Sequence, residues 1–87
     1  MATPKIDIYT KFDCVFCHRA KGLLSKKDAQ YNEFDISFGG ADKTEMLKRA
    51  PQARTVPQIF IGDTHVGGWD DLAALERDGQ LDTLLAG

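Results

Sequence analysis

The sequence predicts an α/β fold: a three-layer sandwich of four strands with helices on both faces, in the order β-α-β-α-β-β-α. Three observations carry that prediction. The 87 residues can build one hydrophobic core and leave no room for a second, so residues 1–87 read as a single domain. Apolar residues recur at every second position in some segments and at helical spacing in others, and the two patterns alternate along the chain. Glycine and proline mark the breaks between them.

Lys5 to Thr10 alternates apolar and polar residues with β-branched members, which predicts a strand. Val15 to Lys27 carries Phe16, Ala20, Leu23 and Leu24 at helical spacing, with His18, Arg19, Lys21, Lys26 and Lys27 on the other face. Lys26 and Lys27 also suit the negative end of the helix dipole. Tyr31 to Ile36 alternates again, and strand, helix, strand implies parallel pairing with a right-handed crossover. Gly39-Gly40 breaks the chain. Asp42 followed three residues later by Glu45 signals a capped short helix carrying Met46, Leu47 and Ala50, which Pro51 ends. Gln58–Ile61 and Thr64–Val66 read as a hairpin around a tight Gly62-Asp63 turn. After Gly67-Gly68 a helix is expected with Asp70 as its cap and Leu72 and Leu75 inward. Gly79 interrupts it, and Leu81, Leu84 and Leu85 complete the stripe. The expected core is Ile6, Ile8, Leu24, Phe34, Ile59, Ile61 and Leu75.

Composition excludes several function classes. With 43% apolar and 28% charged residues the chain is not disordered. Eleven basic against thirteen acidic side chains, net charge −2, lacks the basic footprint that phosphate backbones require, so no nucleic-acid partner is expected. The N-terminal residues have no apolar leader and no apolar run spans a bilayer, so a cytoplasmic protein with no membrane partner is expected. Cys14 and Cys17 are poor staples, because a bridge between them closes a tiny loop. In a reducing compartment such a close pair is more often catalytic or metal-binding.

Cys14-Val15-Phe16-Cys17 falls where the first strand hands over to the first helix. Free N–H groups and the positive dipole end at a helix start stabilise an anion, here the Cys14 thiolate, and Lys11 adds positive charge. An ordinary thiol of pKa ~8.5 is only about 3% ionised at pH 7; a depression of ~3 units makes it mostly thiolate. Cys14 is therefore the expected nucleophile and Cys17 the residue that resolves a mixed disulfide on it. Rival readings have weaker support. Structural zinc needs four ligands, and His18 and His65 lack zinc spacing. Cys14 to His18 matches the c-type haem pattern C-x-x-C-H, but haem attachment accompanies export, and Met46 is the only internal methionine. Two cysteines that merely pack fit poorly beside a lysine at a strand-to-helix turn. A fourth rival is an iron–sulfur cluster bridging two subunits through Cys14, with glutathione as co-ligand.

With these residues in view the chain resembles the glutaredoxins over essentially its whole length. The resemblance is carried by Tyr9-Thr10-Lys11 before the C-x-x-C, by Thr55-Val56-Pro57-Gln58-Ile59-Phe60-Ile61-Gly62, and by Gly67-Gly68-Trp69-Asp70-Asp71-Leu72. It is most similar to the short bacterial dithiol glutaredoxins of the third type. The resemblance implies a thioredoxin fold and a glutathione site built from Lys11, Phe16, Arg54, Thr55, Val56, Pro57, Gly68, Trp69, Asp70 and Asp71. In the family the proline matching Pro57 is cis and faces the active-site cysteines. The resemblance also implies that the Val56 backbone pairs with the cysteinyl part of glutathione, as an added strand would. Gly68 then allows close approach, the following helix start takes the γ-glutamyl carboxylate, and Asp70 and Asp71 face its ammonium. Asp70 can instead only cap the helix. Lys11 and Arg54 are candidates for the glycyl carboxylate, and Trp69 either packs on the hairpin or edges the site. The implied activity is that of a monomeric oxidoreductase. It would reduce glutathionylated and disulfide-containing proteins with glutathione as reductant and no tightly bound cofactor. Two departures stand out: Val15 and Phe16 replace the family's usual proline and tyrosine. Phe16 keeps the aromatic wall without the hydroxyl, and Val15 restores an N–H that could reach the sulfur. The family links that proline to failure to assemble a cluster, so its absence keeps a [2Fe-2S]-bridged dimer as the alternative.

Overall fold

Ile6-Asp7-Ile8-Tyr9-Thr10 forms strand β1 (Ile6–Thr10), and all five residues are buried. In the computed structural model, which describes residues 3–87, this strand lies in the middle of the sheet. Its neighbours are β2 (Asn32–Asp35), which runs parallel to it, and β3 (Gln58–Ile61), which runs antiparallel. The hairpin partner β4 (Thr64–Gly67) completes the order β2-β1-β3-β4. The helices are α1 (Val15–Lys26), α2 (Ala41–Arg49), α3 (Trp69–Arg77) and α4 (Gln80–Ala86). The break between α3 and α4 falls at Gly79, as the glycine predicts.

The pleat sends alternate side chains to opposite faces, and each face meets its own helices. Ile6, Ile8, Ile59 and Ile61 form one cluster with Ala20 and Leu24 of α1, Leu72 of α3 and Leu81 of α4. Tyr9 and Phe60 form the other with Ile36 and with Met46 and Ala50 at α2. The three-layer arrangement follows from this division. Each fully buried isoleucine or leucine contributes about 1.5–3 kcal/mol relative to exposure, so both clusters are needed in so short a chain. Of the expected core, Phe34 and Leu75 are only half-buried. Phe34 stacks on Tyr9 at 5.1 Å and Leu75 packs at the margin of the first cluster.

Two caps differ from expectation. Asp42 does not cap α2; Gly40 does, at φ 92, a conformation that a β-carbon opposes. Asp42 falls inside the first turn, where its charge still suits the dipole. Likewise Gly68, not Asp70, is the N-cap of α3, and its N–H donates to Asp71 Oδ2 at 3.0 Å. An acidic residue within the first helical turn looks like a cap in sequence because both positions favour negative charge.

Asp7 is the polar residue of the strand alternation, yet it is buried. Arg49 Nη1 donates to its Oδ2 at 2.9 Å and Asn32 Nδ2 to its Oδ1 at 3.1 Å. The same Nη1 donates to the Tyr9 hydroxyl at 3.1 Å, and the guanidinium lies 3.9 Å over the Phe60 ring. Arg49 therefore fastens α2 to the sheet. On the other side, Lys27 reaches Glu76 and Asp82, each at 2.8 Å, and ties the end of α1 to α3 and α4.

Candidate active site

Strand β1 ends at Thr10, and four residues later the chain enters α1 with Cys14 as its N-cap in extended conformation. Cys14 Sγ accepts the Cys17 N–H at 3.1 Å, an orphan donor of the helix start. The donor that reaches the sulfur is thus Cys17's backbone, not the Val15 N–H anticipated from the replaced proline. Cys14 S–H donates to the Val56 carbonyl at 3.8 Å, which joins the cysteine loop to the segment before β3. The Val56–Pro57 peptide bond is cis.

Cys17 lies one turn into α1, 1% exposed, while Cys14 is half-buried; both are free thiols. Burial pushes the Cys17 thiol up to about 12, assisted by its hydrogen bond to Cys14 and by negative charge there; a backbone bond from Lys11 works the other way. Cys17 therefore keeps its proton at neutral pH.

Beside Cys14 opens a groove of about 870 Å³. Phe16 of α1 forms one wall, and Arg54, Thr55, Val56 and Pro57 form the floor leading into β3. Gly68, Trp69, Asp70 and Asp71 close the far end at the start of α3. Lys11 is exposed and outside the lining. Trp69 lines the groove and packs against the first core cluster. Gly67 has φ 111, a conformation that side-chain-bearing residues rarely adopt, and a β-carbon there would push aside the Asp71 carboxylate that holds the Gly68 N–H. At Gly68 a β-carbon would meet only the Pro57 carbonyl, at an ordinary 3.5 Å.

The lining also includes residues outside the sequence-based site, among them Arg49, Gln58 and His65. Gln58 Nε2 donates to the Thr55 carbonyl at 2.8 Å, and Gln58 Oε1 meets His65 Nε2 at 2.8 Å. His65 also stacks on Phe60 at 4.6 Å. The buried Gln58 side chain thus braces the Thr55-Val56-Pro57 segment from behind. Gln58 is visible in the sequence only as the polar residue after Pro57, with nothing to show that it turns back. Among the described residues there is no group of three or more His, Cys, Asp or Glu side chains that could hold a metal ion.

The glutaredoxin family profile matches residues 6–66, which include the cysteine pair, the cis-proline segment and most of the hairpin. Glutaredoxin 3 of Escherichia coli is 51% identical over 80 residues, covering 92% of this chain and 95% of that protein. The solution structure of glutaredoxin from Brucella melitensis superposes with a TM-score of 0.82 at 48% identity, covering 98% of this chain and 91% of the other. A buckwheat glutaredoxin–glutathione complex gives 0.82 at 32% identity, over 97% and 77% of the two chains. With its thioredoxin-like order of elements and its Cys14–Cys17 pair, the chain belongs to the glutaredoxin family of glutathione-dependent thiol–disulfide oxidoreductases.

Proposed function

We propose that Cys14 is the attacking thiol of this oxidoreductase, that Cys17 resolves its mixed disulfides, and that the adjoining groove binds glutathione. The observation that carries the reading is Cys14 Sγ at the helix start, holding the Cys17 N–H at 3.1 Å beside the groove floor. A donor aimed at the sulfur stabilises the negative charge that an attacking or leaving thiolate bears.

With a glutathionylated protein, the Cys14 thiolate attacks the glutathionyl sulfur. A Cys14–glutathione disulfide forms, and the protein sulfur leaves as a thiolate that takes up a proton. A second glutathione thiolate then attacks, releasing glutathione disulfide and restoring Cys14. With a protein disulfide, Cys14 first bonds to one protein sulfur. Cys17 then gives up its proton and attacks Cys14 Sγ, freeing the protein, and two glutathiones reduce the Cys14–Cys17 bridge. In the groove, the Val56 backbone pairs with the cysteinyl unit of glutathione as an added strand would. Asp71 already accepts the Gly68 N–H, so the exposed Asp70 is the freer carboxylate for the γ-glutamyl ammonium. Arg54 in the lining suits the glycyl carboxylate better than Lys11, which stands outside it. The protein acts as a monomer in a reducing cytoplasm on glutathionylated or disulfide-containing proteins. No helix among the described residues is long and apolar enough to cross a membrane.

Cys14→Ser abolishes turnover of a small glutathione mixed disulfide, whereas Cys17→Ser keeps that reaction and loses reduction of protein disulfides. Full activity in the Cys14→Ser protein overturns the assignment. One observation keeps the cluster-bridged dimer as a second reading: Val15, beside Cys14, is exposed where the dithiol pattern has proline. With no group of three His, Cys, Asp or Glu side chains among the described residues, such a cluster must take ligands from glutathione and a second copy. A colourless monomer after anaerobic reconstitution with iron, sulfide and glutathione rules it out.

A further inference from the structure

Five large apolar side chains stand exposed among the described residues: Phe12, Val15, Phe16, Phe38 and Leu47. Three of them, Phe12, Val15 and Phe16, lie within two residues of Cys14. Phe12 is 72% exposed and Phe38, on the loop between β2 and α2, is 96% exposed. The two loops are pinned together, because the Phe12 N–H donates to Ser37 Oγ at 2.8 Å. Phe16 turns into the groove and carries the Arg19 guanidinium 5.6 Å from its ring. Phe12, Val15 and Phe38 are outside the groove lining, so a tripeptide seated there leaves them uncovered.

Exposed apolar patches on a small protein mark surfaces that something covers. The chemistry at Cys14 says what does. A protein disulfide attacked by Cys14 becomes bonded to its sulfur, so that polypeptide must rest on the residues around the sulfur. The groove accounts for one side of Cys14, and the phenylalanine loops begin two residues away on the approach to it. Lys11 and Asp13 flank Phe12 with opposite charges, which gives the surface no preferred sign and leaves apolar contact to discriminate.

We propose that Phe12 and Phe38, with Val15, form a docking surface for polypeptide disulfides that carry a large apolar side chain beside the reacting cysteine. The inference rests on Cys14 being the attacking thiol. The bond that forms is Cys14 Sγ to a substrate sulfur, the bond that breaks is the substrate disulfide, and the second substrate sulfur leaves as a thiolate. Glutathione supplies the electrons. Burying a phenylalanine side chain of the substrate against these rings lowers the barrier to that step relative to a serine at the same place.

Two peptides of equal charge, each cyclised by one disulfide and carrying phenylalanine or serine next to the cysteine, test it with glutathione as reductant. The mixed disulfide of glutathione with a small alkyl thiol serves as the control substrate. The native protein reduces the phenylalanine peptide with kcat/KM higher by about fivefold or more. Phe12→Ser/Phe38→Ser removes that preference and leaves turnover of the small mixed disulfide unchanged; Phe38→Ser alone removes part of it. No preference in the native protein, a preference that survives in the double variant, or an equal loss on the small disulfide overturns the proposal. A native protein inactive on the small mixed disulfide overturns the assignment of Cys14 instead. A dimer that the double variant abolishes, or binding to phosphatidylcholine vesicles, gives the patch another occupant and overturns the proposal as well.

Discussion

Cys17 shares its functional group with Cys14, but burial and the neighbouring sulfur keep its proton in place. Two of the influences that raise it, the hydrogen bond to Cys14 and the negative charge there, vanish once Cys14 enters a mixed disulfide. Burial, the largest of the influences, stays, so the Cys17 thiol remains raised, but by less, once those two are gone. The expected outcome is ordered alkylation: iodoacetamide at neutral pH modifies Cys14 first, and Cys17 more than about tenfold more slowly, as peptide mass analysis reads out. Equal rates would contradict the separation. The placement of Cys14 at the helix start and Cys17 one turn inside it was legible from the strand-to-helix position of the pair. The identity of the N–H on Cys14 Sγ was not, because which amide of a first turn reaches a cap depends on cap geometry rather than residue type. Neither was the bracing role of Gln58, since its partners Thr55 and His65 are set by the way the hairpin folds back.

At the scale of elements, strand and helix assignments followed from periodicity, and their boundaries lie within a residue or two of expectation. What periodicity could not reveal was that β1 is central and buried on both faces. Asp7 reads as the solvent-facing member of an alternation, and its partner Arg49 lies 42 residues away on another element. The caps of α2 and α3 are glycines where the sequence points to aspartates, because glycine signals a break without showing which residue closes it. The Asp7–Arg49 pair carries an element-level prediction. Arg49→Met strips a buried carboxylate of its closer cationic partner, leaving only the exposed Lys5 at 3.8 Å, and destabilises the fold by roughly 3 kcal/mol, while Asp7→Asn in the same background recovers part of that loss. A double-mutant cycle in urea checks it; a coupling near zero would mean that Arg49 serves α2 alone.

For the whole molecule, ionic ties add to the apolar clusters that hold the layers together. Thr10 and Lys21 both donate to Glu33 Oε2, at 2.7 and 3.0 Å, joining β1, α1 and β2. Burial alone would push the Glu33 carboxyl up, but these bonds outweigh it and hold it below its ordinary 4.5. Bonds from Ser37 likewise hold Asp35 below its ordinary 3.8. Both carboxyls are thus harder to protonate folded than unfolded, so their contribution is complete above those ordinary values and is lost as pH falls through the folded ones. Lys21 and Lys27, raised above 10.5 chiefly by Glu33 and by Asp82 and Glu76, contribute below that value and lose their share in strong alkali. The urea midpoint is therefore expected to fall as pH drops below about 4.5, and Glu33→Gln flattens that acid limb. An acid limb unchanged in the variant would remove Glu33 from the account.

The strand order has one more consequence, for how copies of this protein behave toward each other. Among the described residues, only β2 and β4 have an open side, and an open strand is a template for another chain. On β2 the exposed residues are Asn32, Glu33 and Asp35, so a second copy laid edge to edge brings carboxylates against carboxylates. At the opposite margin a register shift between Ile59 and Phe60 and the left-handed Gly67 bend the short β4 out of line. Both margins therefore carry features that oppose edge-to-edge pairing of a kind a flat, uncharged sheet of this size would allow.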